Sequence, residues 1–346
     1  MFAMELRRFR RWLMIAAALA AALIADFDSS FAFAQTEAPT APSAPASCKL
    51  GLFVVGLHDL DVRRKLFNAD FWLWSLCRDA SRAPLTSTEF VNANRTSASL
   101  DQSNVRNGLH WTARKIEGTF RHRWDVRNFP FDRHTLRIAI EEGKEDARDF
   151  VYEPDLAASG FDPNFTLPGW KIERFRLTPA MHRYDTTFGD PTVTPGQAVN
   201  YSRLTAEVTV VRTSRIGFVK MTAAVYVAAV LALLSFLLQV DSVGTFSSRL
   251  SFLAGSLFAT VVNMRVASSE LGSEDGLTLI DDIHITVLLL IVTATVCTLL
   301  ADFRRRRNED GDRIRRFDRR NMAWCAALFV AANIVLVAMA IAAERV

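Results

Sequence analysis

Six residues, Ser251, Gly255, Phe258, Val262, Arg265 and Ser269, recur every three or four positions through a largely apolar stretch. On a helix that spacing puts them on one stripe, polar at both ends and apolar between. Where several copies of such a helix face a common axis, the polar ends hold water. Rings of Phe258 and Val262 then close the path by expelling it, a dewetting gate. The alternative is that these side chains pack against a neighbouring helix, with the long Arg265 stem carrying its charge to the membrane surface. Covalent or redox chemistry has no comparable pattern: no Gly-rich phosphate loop, no metal-spaced His and Cys set and no nucleophile elbow stands in the chain. His58, His110, His122, His134, His182 and His284 are scattered and read as ordinary surface or packed histidines, although an unperturbed pKa of about 6.5 permits proton sensing. The pattern points away from an enzyme and asks for no cofactor and no metal.

The stripe lies on the second of four apolar stretches, Met221 to Val240, Leu250 to Val266, Ile283 to Ala301 and Met322 to Ala343. About 20 apolar residues rising ~1.5 Å each cross a ~30 Å hydrocarbon layer. The first and fourth meet that length without a charge. The second carries Asn263 and Arg265 with several Gly, Ser and Thr, and so prefers protein or water to lipid. At the N-terminus, Arg7, Arg8, Arg10 and Arg11 precede an apolar run from Leu13 to Ile24, and Ala32, Phe33, Ala34 offer a cleavage site before Gln35. Residues 1–34 therefore read as a secretory signal, the other reading being an uncleaved anchor. Residues 35–47, rich in Pro, Ala, Thr and Ser, read as a disordered leader.

Charge placement supports one topology. The loop 302–320 carries nine arginines against five acids, which suits the cytoplasm, whereas Glu270, Glu274, Asp275, Asp281 and Asp282 separate the second and third spans without a base. A formal net charge of +4 would also fit nucleic acid, but beside two spans the arginines read as a topology signal, and no nucleic-acid partner is expected. Between the signal and the spans, residues 48–213 read as strands: Trp111 to Ile116, Thr135 to Glu141, Trp170 to Leu177 and Leu204 to Val211 are short runs of β-formers punctuated by Gly and Pro. Many short strands in one stretch point to a single antiparallel sandwich. Cys48 and Cys77 stand at opposite ends of a hairpin candidate, where an exported compartment allows a disulfide; two buried thiols are the other possibility.

The run Trp124, Asp125, Val126, Arg127, Asn128, Phe129, Pro130, Phe131, Asp132 resembles the central loop of pentameric ligand-gated ion channels, the Cys-loop receptor superfamily. The two cysteines bracketing that loop in animal receptors fall here on His122 and Leu136, as in bacterial members lacking the disulfide. Ala69 to Trp74 resembles the family's second strand, and Glu89 to Ala93 after Pro84 its first binding loop. Arg212 or Arg215 stands where the family keeps an arginine before the first span. The resemblance runs through essentially all of the mature chain.

It implies a multi-domain membrane protein: an exported antiparallel β-sandwich, 48–213, followed by a four-helix transmembrane bundle, 214–346, assembled as a homopentamer in the inner membrane with the β domain outside. The second span would line the pore, permeant inorganic ions would pass, and a small molecule or a proton would act as agonist. Asp132, in the loop with Phe129, Pro130 and Phe131, would join Asp59 or Asp61 beside Arg212 to couple the domains. Ligand contacts would come from Phe90, Glu142, Tyr184 and Tyr201 on one face and from Trp72 and Trp111 on the other, under a loop at Gly189 to Gly196. The chain departs from the family in having no proline in Met221 to Val240, with Ala224 near the expected place. Ser247, Ser248 and Arg249 also offer neither the glutamate nor the Pro-Ala pair from which ion selectivity is read. The rival expectation is a non-conducting exported sensor or adhesion module that uses the four helices as an anchor.

Overall fold

The computed structural model describes residues 44–189, 191, 194, 198–272 and 276–344. The expected signal, most of the leader, Glu274, Asp275 and much of the Gly189–Gly196 loop lie outside the described residues. Strands are β1 (Ala46–Asp61), β2 (Leu66–Cys77), β3 (Thr88–Phe90), β4 (Ala93–Arg106), β5 (Leu109–Arg121), β6 (Arg133–Glu142), β7 (Phe150–Pro154), β8 (Gly160–Phe161), β9 (Trp170–Tyr184) and β10 (Val199–Arg212). Helices α1 (Ile216–Leu234), α2 (Val243–Leu271), α3 (Leu279–Arg306) and α4 (Gly311–Glu344) follow.

One sheet runs β4-β5-β2-β1-β7, with β8 also on β1; the other runs β3-β6-β10-β9. Strict alternation makes the two sheets face one another. Along β2 every second residue, Phe67, Ala69, Phe71, Leu73, is buried, and β10 answers with Leu204, Ala206, Val208 and Val210 while Arg203, Thr205, Glu207 and Thr209 face out. Phe67, Phe71 and Phe120 pack ring to ring at the centre, with centroids 5.5 and 6.1 Å apart.

The pairing is not wholly antiparallel. β7 and β8 lie parallel to β1, through pairs such as Ala46 with Phe150 and Phe53 with Gly160. Both strands follow a crossing from β6 in the opposite sheet, and a crossover, unlike a hairpin, can deliver its strand in the parallel sense. That pairing also draws Ala46 and Ser47 out of the expected leader and into β1.

Cys48 and Cys77 are register partners of β1 and β2, with Cα atoms 4.5 Å apart and sulfurs bonded. Peptide mapping of non-reduced protein should recover their two peptides joined. Native protein in which both thiols alkylate freely would contradict the bond. Closing a loop of this length is worth roughly 3 kcal/mol, so reduction should lower the unfolding midpoint of the β domain.

All four helices are long and apolar enough to cross a membrane, and the chain is a multi-pass membrane protein with an N-terminal β domain. Helices α2, α3 and α4 exceed the expected spans at both ends, whereas α1 begins before Met221 and stops at Leu234, short of the expected Val240. In particular, the arginine-rich segment 302–320 is mostly helix, and only residues 307–310 separate α3 from α4. Arg304, Arg305 and Arg306 sit in the last turn of α3, where cations favour the helix dipole, and Arg305 and Arg306 both grip Asp302. At the other end of α3, Thr278 and Asp281 form a capping box with Asp282 beside them, so these expected loop acids begin a helix.

Candidate functional site

The register of β6 against β10 pairs Arg133 with Val211, and the next step outward brings Asp132 to Arg212. Their backbones bond, Arg212 N–H donating to the Asp132 carbonyl at 3.2 Å. The guanidinium then grips the carboxylate with both arms, Nε to Oδ1 at 2.7 Å and Nη2 to Oδ2 at 2.9 Å. Asp132 is 1% exposed and Arg212 16%. The Arg212 guanidinium lies 4.0 Å from the centroid of Trp170 and 4.8 Å from that of Phe129, a cation–π clasp. His134 Nε2 meets Asp132 Oδ2 at 2.8 Å. Burial alone would raise the Asp132 carboxyl, but hydrogen bonds from His134 and Arg212 outweigh it and hold the group below 3.8.

The same loop touches the helices. Phe131 belongs to the apolar cluster of Val225, Ala229 and Ile283, with the Arg215 guanidinium 5.2 Å from its ring. A Cβ on Gly217 would stand 3.2 Å from the tip of Phe129. The Arg127 carbonyl accepts the Leu279 N–H at 2.8 Å, at the start of α3. Ala267, Leu271 and Ile280 belong to the core of the β domain itself, so apolar packing is continuous across the junction.

Asp59 and Asp61 are placed otherwise than expected. Asp59 accepts from Asn68 and pairs with His58, and Asp61 holds Arg64; neither reaches Arg212, because each is satisfied locally where the end of β1 turns into β2. The turn meets the helices through Arg63 instead, whose Cα is 3.0 Å from the place a Cβ on Gly272 would take. Gly272 closes α2 at φ 57, a conformation that favours glycine, and the close backbone approach requires it as well.

His122, His134, Trp124 and Trp170 form a ring cluster directly behind Asp132, with His122 4.7 Å from Trp124 and 5.7 Å from His134 between centroids. His122 Nε2 and Trp124 Nε1 are buried without a hydrogen-bond partner among the described residues. Burial, followed by the charges of His134 and Arg137, pushes the His122 imidazole down from 6.5 to about 4. Between those values the unfolded chain binds the proton first, so stability is complete above pH 6.5 and falls as pH drops toward 4. The loss amounts to at most about 3 kcal/mol. His122→Phe should flatten that limb of an unfolding-against-pH series, whereas the Asp132 contribution disappears only below about pH 4. An unchanged slope would contradict the assignment.

On α2, the buried side chains are Arg249, Leu253, Ser256, Thr260, Ala267 and Leu271, a stripe at helical spacing that packs into the chain's own bundle and, at Ala267 and Leu271, onto the β domain. About half a turn, roughly 1.8 residues, beyond Arg249, Leu253, Ser256, Thr260 and Ala267 stand Ser251, Gly255, Phe258, Val262 and Ser269, with Arg265 the same half turn before Ala267. All six are exposed on the opposite side, with Phe258 at 72%. Arg249, read in the sequence only as a departure from the family, is fully buried and donates to Asp318 of α4 at 2.9 Å. Asn263 bonds the Met221 carbonyl and His284. The polar residues of α2 thus divide between fixing the bundle and facing away from it.

The expected ligand residues fall in three places. Tyr184 and Tyr201 meet at 5.9 Å, joined by Phe188, which sequence reading missed although it adjoins the expected capping loop. Their carboxylate is Glu141, which accepts from Tyr184 at 2.8 Å and from Arg203 at 2.7 Å. The expected Glu142 is one residue out of phase: it points inward, 2% exposed, and accepts from Tyr152. Phe90 packs on Phe71 and Phe120, away from the tyrosines. Trp72 and Trp111 lie on β2 and β5 in the other sheet, Trp111 under the Arg106 guanidinium. No group of three or more metal-ligating side chains gathers among the described residues.

No family model matches the chain, and no curated protein matches it.

Proposed function

We propose that the protein is a ligand-gated ion channel, a homopentamer whose pore is lined by α2 and opened by a signal in the β domain. The observation that carries the reading is the division of α2. Its buried stripe packs against the bundle and the β domain, and the diametrically opposed stripe, polar at both ends and apolar at Phe258 and Val262, is exposed. A helix serving only as an anchor has no use for Ser, Gly and Arg on its outer face. Five such faces around an axis make a water path with a hydrophobic constriction.

Displacement of the β sheets would reach this helix through the Arg212–Asp132 clasp, Phe129 and Phe131 against α1, and Arg63 against Gly272 at the end of α2. The agonist site would be the Tyr184, Phe188 and Tyr201 cluster, whose ring faces suit an organic amine, completed by Trp72 and Trp111 of a neighbouring copy. His122, buried behind Asp132 and pushed down to about 4, offers protons a second way in at acid pH.

Planar-bilayer recording of the purified protein under a panel of amines and pH steps, alongside its mass in detergent, tests the reading. A pentamer that passes current under one of these stimuli is expected. A monomer that passes none would instead favour a non-conducting sensor.

A further inference from the structure

The charges on α2 say which ions such a path would admit. The helix holds three, Arg249, Arg265 and Glu270. Arg249 is buried against Asp318 and cannot face the axis. Glu270 is turned toward the β domain, where it borders a cavity of about 740 Å³ shared with Arg63, Arg64 and Arg95. Arg265 alone lies on the exposed stripe, with no hydrogen bond or ion pair to any of the described residues. Asp241, the nearest acid at the opposite end, precedes the helix and accepts from Thr245. Between Asp241 and Glu270 the stripe therefore carries one sign of charge.

Resting on the channel reading above, we propose that Arg265 sets the charge selectivity of the path and that its permeant ions are small inorganic anions, chloride among them. In five copies Arg265 forms a ring of guanidiniums roughly 10 Å along the helix from Phe258. Rings of arginine or lysine concentrate anions and repel cations in a narrow pore, and the low-dielectric wall strengthens the effect. The helix N-termini at the other mouth add positive partial charge.

The test uses the full chain carrying Phe258→Ala, which supplies current without an agonist, in planar bilayers under asymmetric potassium chloride. The zero-current potential should lie toward the chloride equilibrium value, Arg265→Gln should move it toward zero, and Arg265→Glu should carry it to the potassium side. Reversal on the potassium side with Arg265 intact would overturn the proposal. So would a reversal potential that neither Arg265 substitution moves, which would place the side chain at lipid headgroups. Absence of current from assembled pentamers of both the native and Phe258→Ala proteins would remove the channel reading itself, and this inference with it.

Discussion

Arg212→Met is expected to cost about 3 to 5 kcal/mol of stability and, in the proposed channel, to uncouple agonist binding from gating, because it leaves the Asp132 carboxylate buried with only His134 as a partner. Asp132→Asn leaves the guanidinium short of its counter-charge but still clasped between Trp170 and Phe129, so its cost should be smaller. The double variant should cost clearly less than the sum of the two, since the second change no longer strands a buried charge. Chemical denaturation of the four proteins supplies the cycle, and agonist titration of current supplies the functional arm. Affinity at the distant tyrosine cluster should stay close to native while maximal response falls. Additive costs, within about 0.3 to 0.5 kcal/mol, would contradict the pair as drawn.

Phe258→Ala should raise resting conductance without weakening the subunit. The ring is the most exposed part of the apolar stripe and makes no contribution to the buried face of α2, so truncation opens no cavity in the bundle. In the proposed pentamer five rings change together. Even about 0.5 kcal/mol of lost water exclusion per copy, well under the ~1.5 to 3 kcal/mol of a fully buried large apolar side chain, totals roughly 2.5 kcal/mol and more than a tenfold rise. Unaltered closure in a correctly assembled variant would move the constriction to Val262 or away from α2.

Long-period features were legible in the sequence and one-residue features were not. The four spans follow from length and hydropathy, and the α2 stripe follows from a repeat sustained over five turns. The ends of the spans were misjudged because charged residues continue a helix when they cap it or pair along it, as Asp302 does with Arg305 and Arg306. Glu141 and Glu142 are adjacent acids, and only the register of β6 decides that the first faces the tyrosines and the second the core. Asp132 and Arg212 were brought together by resemblance; the physical reason is the β6–β10 ladder, 80 residues apart in sequence. Arg249 gave no sign of its burial, since its partner Asp318 lies 69 residues further on in a segment that reads as a polar loop.

The central claim is that the exposed stripe of α2 faces water in the assembled protein, and cysteine accessibility along that helix measures it most directly. With Cys297 and Cys325 replaced by alanine and Cys48 bonded to Cys77, single cysteines are placed in turn from 251 to 269 and exposed to a charged, membrane-impermeant thiol reagent. Reaction at 251, 255, 258, 262, 265 and 269, with blocked current and protection at 253, 256, 260 and 267, is the predicted pattern. Protection along the 251–269 stripe, as a lipid-facing surface would show, would contradict it.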